Sequence, residues 1–464
     1  MRSRALSTPS AVSIPRAAFS QVHLGPVSFA GRAVTVRTTR YADFARWRDI
    51  RLRDRRYIEP FWLTSPLTWE ERHTEAHWIR ECMYQRRTLI DRRTLPLSIE
   101  VDGEFAGQCN LFQVDLESGT AELSIWLGSH AGAHGVGAMA GAMVADYAFD
   151  TLGLRRLIAP VCTDNHAAAH TAKRGGMTRE ATLSSFLDVG GKRRDHDLWA
   201  VTADRVPTGG LIELVLASAG NDAPKQAVMA TTTKHTFTPS PPALIGLPKS
   251  RDAKVAIARF FIGFPRRLLE SHPGTAGPDL LHSTGSQATA VALRSSRIAD
   301  GSAWRLSRRH TDLIRPVSAE LSAPILRRIP LHANAFRIRS RVALRRTSAL
   351  AYALEVAGQP VGTCELRGLD PHHGTAELHV VVDWTNPLVD PSTTATGVEL
   401  LLGYAFDVLR LERVAATIDA GDARAIEVAS RCGLSREGTM IGAELDADGN
   451  PVDLDLWAKT SGRS

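Results

Sequence analysis

The five residues GTAEL occur twice, at 119–123 and again at 374–378, 255 positions apart in a chain of 464 residues. The surroundings repeat too. LSIEVDGEFAGQCNL from Leu97 faces YALEVAGQPVGTCEL from Tyr352 at that offset, with Glu100, Gly103, Gly107 and Cys109 matching Glu355, Gly358, Gly362 and Cys364. Further on, DYAFDTLGLRRL from Asp146 faces GYAFDVLRLERV from Gly403 at an offset of 257, and DHDLWA from Asp195 faces DLDLWA from Asp453 at 258. An offset that drifts so little over so long a stretch predicts a duplicated domain with small loop insertions. The period is far too long for a stacked solenoid.

Length alone favours more than one core. The apolar fraction of 44% and charged fraction of 23% are ordinary for a globular protein. No apolar run reaches the length of a membrane span, so no integral membrane association is expected. The five cysteines are odd in number and not spaced as metal pairs, which fits a reducing, cytoplasmic setting. A net charge of +7 favours acidic or phosphorylated partners. The N-terminal stretch carries arginines and no Asp or Glu up to residue 42. Its composition has the cast of a transit peptide, and residues 1–30 read as a disordered extension.

Alternation and turn signals place strands at 34–37, 97–101, 105–114, 120–127, 157–162, 182–188 and 197–201, with VDGE (101–104) as a hairpin turn. Helical periodicity places helices from Tyr41 to before Pro60, at 69–83, at 139–152 and at 166–174. The boundaries expected are a first domain over 31–205, a linker over 206–300 containing a basic amphipathic helix at about 251–271, and a second domain over 301–464.

After the first GTAEL strand, the loop SHAGAHGVGAM carries Gly132, Gly135 and Gly137 directly into a helix. A glycine-rich turn feeding a helix N-terminus offers free N–H groups and the positive end of the helix dipole to an anion. Neither GxxxxGK[ST] nor a full GxGxxG is present.

The order strand, two helices, three antiparallel strands, Gly-rich turn, helix, strand, helix, strand pair resembles the GNAT superfamily of acyl-CoA N-acyltransferases. The first half is similar to its ribosomal-protein-alanine N-acetyltransferase branch. The resemblance rests on LSIEVDGEFAGQ, AHGVGAM, DYAFDTLGLRRL and TDNHAAAHTAKRGGMTREATL. It implies an α/β (α+β) fold class: two tandem domains, each with a mixed, mostly antiparallel central sheet flanked by helices, the two packing against each other. It also implies direct acetyl transfer from acetyl-CoA, with no metal, to a primary amine, foremost a protein N-terminus. A small-molecule amine acceptor and a non-catalytic acyl-CoA-binding scaffold are the alternatives. By the resemblance, His134, Gly135, Val136, Gly137, Ala138 and Met139 would hold the coenzyme A pyrophosphate, His134 standing where the family has a cation. The backbone of Trp126 and Leu127 would pair with the pantetheine arm, and Asn165 stands at the family's Asn. Ala168 and Ala172 replace the family's Ser and its Tyr acid. Glu122, twelve residues before His134, is the candidate base that takes the proton from the amine.

In the second half, PSTTATG aligns with the Gly-rich turn. Pro391, Ser392 and Thr394 then stand at the places of His134, Gly135 and Gly137, and Asp422 at that of Asn165. A β-branched residue suits such a turn poorly, so the second copy is expected to be non-catalytic. The pairs His130/His134 and His166/His170 read as surface histidines. The arginines of 46–56 read as a solvated helix face or an attraction for an acidic substrate, with no nucleic-acid partner.

Overall fold

The computed structural model describes residues 17–132, 135–222, 280–282, 291–295, 350–357, 359–370, 373–446 and 449–462. The amphipathic stretch expected at 251–271 lies outside them, as does His134. The chain divides into two compact units. The first is Met1–Ala159, Asn165–Arg179 and Trp199–Phe264; the second is Pro160–Asp164, Glu180–Leu198 and Pro265–Ser464.

In the first unit, β1 (His23–Phe29), β2 (Arg32–Thr38), β3 (Leu97–Val101), β4 (Glu104–Asp115) and β5 (Thr120–Leu127) form an antiparallel meander. β6 (Arg156–Cys162) then joins β5 in parallel. The pattern LSIEV buries Leu97, Ile99 and Val101 almost completely. Val101 pairs with Glu104 across Asp102 and Gly103, both at positive φ, the tight hairpin turn that VDGE signals. The one-turn helix α1 (Ala17–Ser20) and β1 occupy residues expected to be a disordered extension. HLGPVSF carries no clean alternation, yet β1 pairs with β2, and Phe19 and Phe29 are buried.

Helices α2 (Phe44–Arg53), α3 (Arg55–Ile58) and α4 (Glu75–Ile90) precede β3. α4 starts later than the sequence suggests because Thr74 caps it, its side chain accepting the His77 N–H. After β5 come α5 (Val136–Asp150) and α6 (His166–Arg174). α7 (Gly210–Asp222) falls inside the expected linker; its Leu211 and Val215 are buried, and Asp146 of α5 accepts the Leu211 and Ile212 N–H groups at 2.8 and 3.0 Å.

The second unit takes up most of the hairpin β7 (Thr178–Val189) and β8 (Lys192–Thr202), which the sequence places in the first domain. It also contains β9 (Leu280–His282) and β10 (Val291–Ser295), inside the expected linker, then β11 (Leu350–Val356), β12 (Gln359–Asp370) and β13 (Thr375–Val382). Helix α8 (Pro391–Gly403), β14 (Arg413–Asp419), α9 (Ala423–Arg431), β15 (Ser435–Leu445) and β16 (Pro451–Thr460) follow. β9 to β13 are an antiparallel meander, and β14 joins β13 in parallel.

The registers repeat as well. Thr120, Ala121 and Glu122 face Arg156, Leu157 and Ile158; Thr375, Ala376 and Glu377 face Arg413, Val414 and Ala415. Val136 opens α5 and Pro391 opens α8, so the offset of 255 still holds there and Asp390, not Ser392, stands opposite Gly135. The offset widens only within α8, whose end runs into a wide π-type turn over Tyr404–Val408 that takes up extra residues. This corrects the alignment of PSTTATG: Thr394 sits in regular helix, fully buried, and is not in a strained turn. Within the second unit, Arg413 and Glu437 form a buried ion pair that also holds the Ser184 carbonyl and N–H, fastening β15 to β7.

Candidate functional site

The parallel ladder between β5 and β6 ends at Glu122↔Ile158, while β5 continues to Leu127. Among the described residues, the β6-side edge of 123–127 has no strand partner, whereas the other edge pairs with β4 as far as Gly107↔Leu127. Trp126 and Leu127 thus stand where the sequence places a splayed strand. Side chains alternate along β5. Leu123, Ile125 and Leu127 face α5, where a Cβ at Gly141 would lie 3.0 Å from Ile125 Cδ1 and one at Gly137 3.3 Å from Leu127 Cδ1. Glu122, Ser124 and Trp126 point to the opposite face, where Trp126 packs among Trp47, Ile50, Trp69, Trp78 and Phe105.

The helix after the Gly-rich loop begins at Val136, three residues earlier than its periodicity predicts. Gly135 is its N-cap, at φ +85°, with no side chain capping the first turn. Val136, Gly137 and Ala138 are therefore first-turn residues whose N–H groups lack intrahelical acceptors. Val136, Gly137, Ala138 and Met139 are buried, and none of them brings a polar side chain to this end of the helix. The Arg174 guanidinium at the C-terminal end of α6 lies directly against Gly135, where a Cβ would be 2.9 Å from Cζ. Asn165 caps the other end of α6, its Oδ1 accepting the Ala168 N–H at 3.1 Å, about 13 Å along the helix from Arg174. Among the described residues, Arg174 is a cation beside the glycine turn that the sequence reading missed, because it lies 39 residues downstream in a helix terminus.

Glu122 is half-buried and, among the described residues, makes no hydrogen bond or ion pair. Burial pushes its carboxyl up to about 7. Its counterpart Glu377 is also raised by burial, against the opposing influence of Arg367 and a Thr417 hydrogen bond.

Residues 33–178 match the family model described as an acetyltransferase (GNAT) domain. The chain carries a GNAT acetyltransferase domain. RimJ of Mycobacterium smegmatis, solved in complex with CoA-disulfide, is 30% identical, over 43% of this chain and 97% of that chain, at a TM-score of 0.41. The ribosomal-protein-S5-alanine acetyltransferase from Vibrio fischeri is 16% identical (40% of this chain, 98% of that one, TM-score 0.36). Spermidine N-acetyltransferase from Vibrio cholerae, in complex with CoA and spermine, is 18% identical (37% and 96%, TM-score 0.32). No curated protein matches the chain in a sequence search.

Two further features of the GNAT domain were not legible in the sequence. Asp54, between α2 and α3, is buried and accepts both the N–H and the Oγ–H of Ser129 at 2.8 Å, tethering the loop that leads to Gly135. Burial alone would raise its carboxyl, but hydrogen bonds from Arg53 and Ser129 outweigh that and hold it at about 2. The arginines of 46–56 are not a bare cationic face. Arg46 pairs with Glu104, Arg53 with Asp54, and Arg55 with Glu59 and Glu70, while Arg51 is buried. Among the described residues, no three His, Cys, Asp or Glu side chains gather into a metal site, and no helix is long and apolar enough to cross a membrane.

Proposed function

We propose that the GNAT domain is an acetyl-CoA-dependent N-acetyltransferase that transfers the acetyl group directly to a primary amine, a protein N-terminus. The observation that carries this reading is Glu122. It is a half-buried carboxylate with no cation beside it among the described residues, raised to about 7, at the point where β5 parts from β6. A general base works best with a pKa near the operating pH.

The α5 terminus fits the cosubstrate. An uncapped helix start, opened by an αL glycine and flanked by Arg174, suits a pyrophosphate, and a Cβ at Gly135 would intrude on that space. The free edge of Trp126 and Leu127 leaves backbone groups for the pantetheine amides. The cosubstrate supplies an activated acetyl thioester. Glu122 takes a proton from the incoming ammonium, and the neutral amine nitrogen bonds to the thioester carbonyl carbon. The C–S bond breaks, the new amide nitrogen gives up its second proton, and the departing thiolate gains one from solvent, since Ala168 and Ala172 carry no acid. Asn165 holds α6 in place through its cap and keeps its amide N–H groups for the cosubstrate.

The protein acceptor rests on the resemblance of the first half, through LSIEVDGEFAGQ, AHGVGAM and TDNHAAAHTAKRGGMTREATL, to the ribosomal-protein-alanine N-acetyltransferase branch. We also infer that the second unit is a degenerate copy of the same fold. The repeated registers of Glu122 and Glu377 support this, and α8 supports the loss of function. Asp390 occupies the N-cap where the first copy has Gly135, and its carboxylate accepts the Thr393 N–H at 2.8 Å. A helix start already satisfied by its own carboxylate repels a phosphate. The reading is tested by assaying acetyl transfer from acetyl-CoA to a panel of N-terminal peptides and polyamines with wild type and Glu122→Gln. Transfer to peptides that Glu122→Gln abolishes supports it, and undiminished transfer by that variant at every pH removes Glu122 as base.

A further inference from the structure

Arg51, on α2, is only 2% exposed, and no carboxylate pairs with it among the described residues. Its guanidinium carbon lies 3.6 Å from the ring centre of Trp62, 4.9 Å from those of Trp69 and Trp126, and 5.8 Å from that of Trp47. Its Nε donates to His73 Nε2 at 3.0 Å, and the other ring nitrogen of His73 meets the Trp69 carbonyl. Burial, with Arg51 and Arg72 nearby, brings His73 down to about 4, so its ring is neutral and can accept. The Trp69 indole N–H donates to the Arg51 carbonyl at 2.9 Å, fixing that residue's backbone.

Among the described residues, Nε alone of the guanidinium nitrogens is bonded, and Arg51 Nη1 is buried with no hydrogen-bond partner. Four indole faces stabilise a cation, but they accept no hydrogen bond along the edge of the guanidinium. Glu81, raised by burial, is the acid nearest in influence, yet it forms no ion pair with Arg51 and instead accepts from Gln85 Nε2 at 3.1 Å. A buried, incompletely satisfied charge is costly, and apolar residues of similar shape would be cheaper.

The cage adjoins the site described above. Trp126, which forms one wall, lies on the same face of β5 as Glu122 and four residues further along, about 13 Å. Trp47, Trp69 and Trp126 are buried, whereas Trp62, in the segment after a short 3-10 turn, is half-buried and the most exposed of the four rings.

Resting on the reading of Glu122 as the base, we infer that Arg51 Nη1 receives a carboxylate of the acceptor, so that the preferred acceptor is a protein N-terminus with an acidic side chain a few residues along. With the amine at Glu122, an extended peptide of about four residues reaches the cage. Arginine suits this task because its planar fork matches a carboxylate and stays charged while buried.

The test uses the full-length protein, acetyl-CoA and otherwise neutral hexapeptides carrying a single Asp at position 2, 3, 4, 5 or 6, each paired with its Asn analogue. Acetyl transfer and quenching of tryptophan emission are both read. The expected result is a kcat/KM about tenfold or more higher for Asp than Asn at one or two adjacent positions. Quenching is expected to follow the same preference, Arg51→Met to bring the pair level, and Arg51→Lys to keep part of the preference. A merely structural Arg51 would change the melting temperature and both peptides alike. Equal kcat/KM and equal quenching for every Asp/Asn pair on wild type overturn the inference, whether or not Arg51→Met folds. Selective quenching without acetyl transfer keeps the Arg51 subsite and overturns the catalytic reading instead.

Discussion

Gly135 and Arg174 meet so closely that a Cβ added to the glycine would lie 2.9 Å from the guanidinium carbon, on a residue whose φ of +85° already excludes most side chains. Helix start and cation are thus locked together by the absence of one carbon atom. Gly135→Ala should cost about 1 kcal/mol of stability for the backbone conformation alone. Because Arg174 must also shift, affinity for acetyl-CoA should fall about tenfold or more. Thermal unfolding and calorimetric titration of the same preparation check both halves.

Glu122 should govern the pH profile. With a pKa of about 7, it delivers kcat/KM that rises through that pH and levels above it, and Glu122→Gln should flatten the rise and lower the plateau about 100-fold or more. The same group has a stability signature. Its folded pKa is raised, so the folded state holds its proton while the unfolded state has lost it, and stability falls as pH rises from about 4.5 towards 7. Glu122→Gln should therefore raise the melting temperature more at pH 8 than at pH 5.

Asp390 makes the opposite case. Its carboxylate is held below the usual range by the Thr393 and Ser392 N–H groups it accepts. Asp390→Ala should cost about 1 kcal/mol as a lost helix cap, yet leave the affinity of the full chain for acetyl-CoA unchanged.

Asp54 should link pH to the Gly-rich loop. Its folded pKa of about 2 is depressed, so its contribution is complete above the unfolded value near 3.8 and vanishes as pH falls through 2. Asp54→Asn should lose about 1–3 kcal/mol in urea unfolding at pH 7, a deficit that closes at the acid end, and should raise KM for acetyl-CoA.

The strands at 97–101 and 120–127 were legible because burial on alternating positions leaves a period of two, and the helix at 166–174 because Asn165 and the glycines 175 and 176 bound it. Around the glutamates of the repeated letters GTAEL, β5 pairs with β6 and β13 with β14 in the same register. The start of α5 was not legible, since glycines suppress helical propensity and only packing on Ile125 and Leu127 makes Gly137 and Gly141 favourable in a helix. The alignment of PSTTATG failed for a related reason. Matching glycine-turn letters hid Asp390, whose capping box defines the true helix start. β1 and α7 were hidden because their sequences read as extension and linker: β1 forms a hairpin with β2 without clean alternation, and α7 is held by Asp146 from a distant helix. Arg51 read as one of many surface arginines, because the four tryptophans around it come from residues 47 to 126 and no local pattern joins them.

The measurement that bears most directly on one working and one degenerate site is calorimetric titration of acetyl-CoA into the full-length chain, wild type beside Gly135→Val. One molecule bound per chain, lost in the variant, is the predicted result. Two molecules per chain, none, or binding that survives Gly135→Val would contradict the assignment of the cosubstrate to the start of α5.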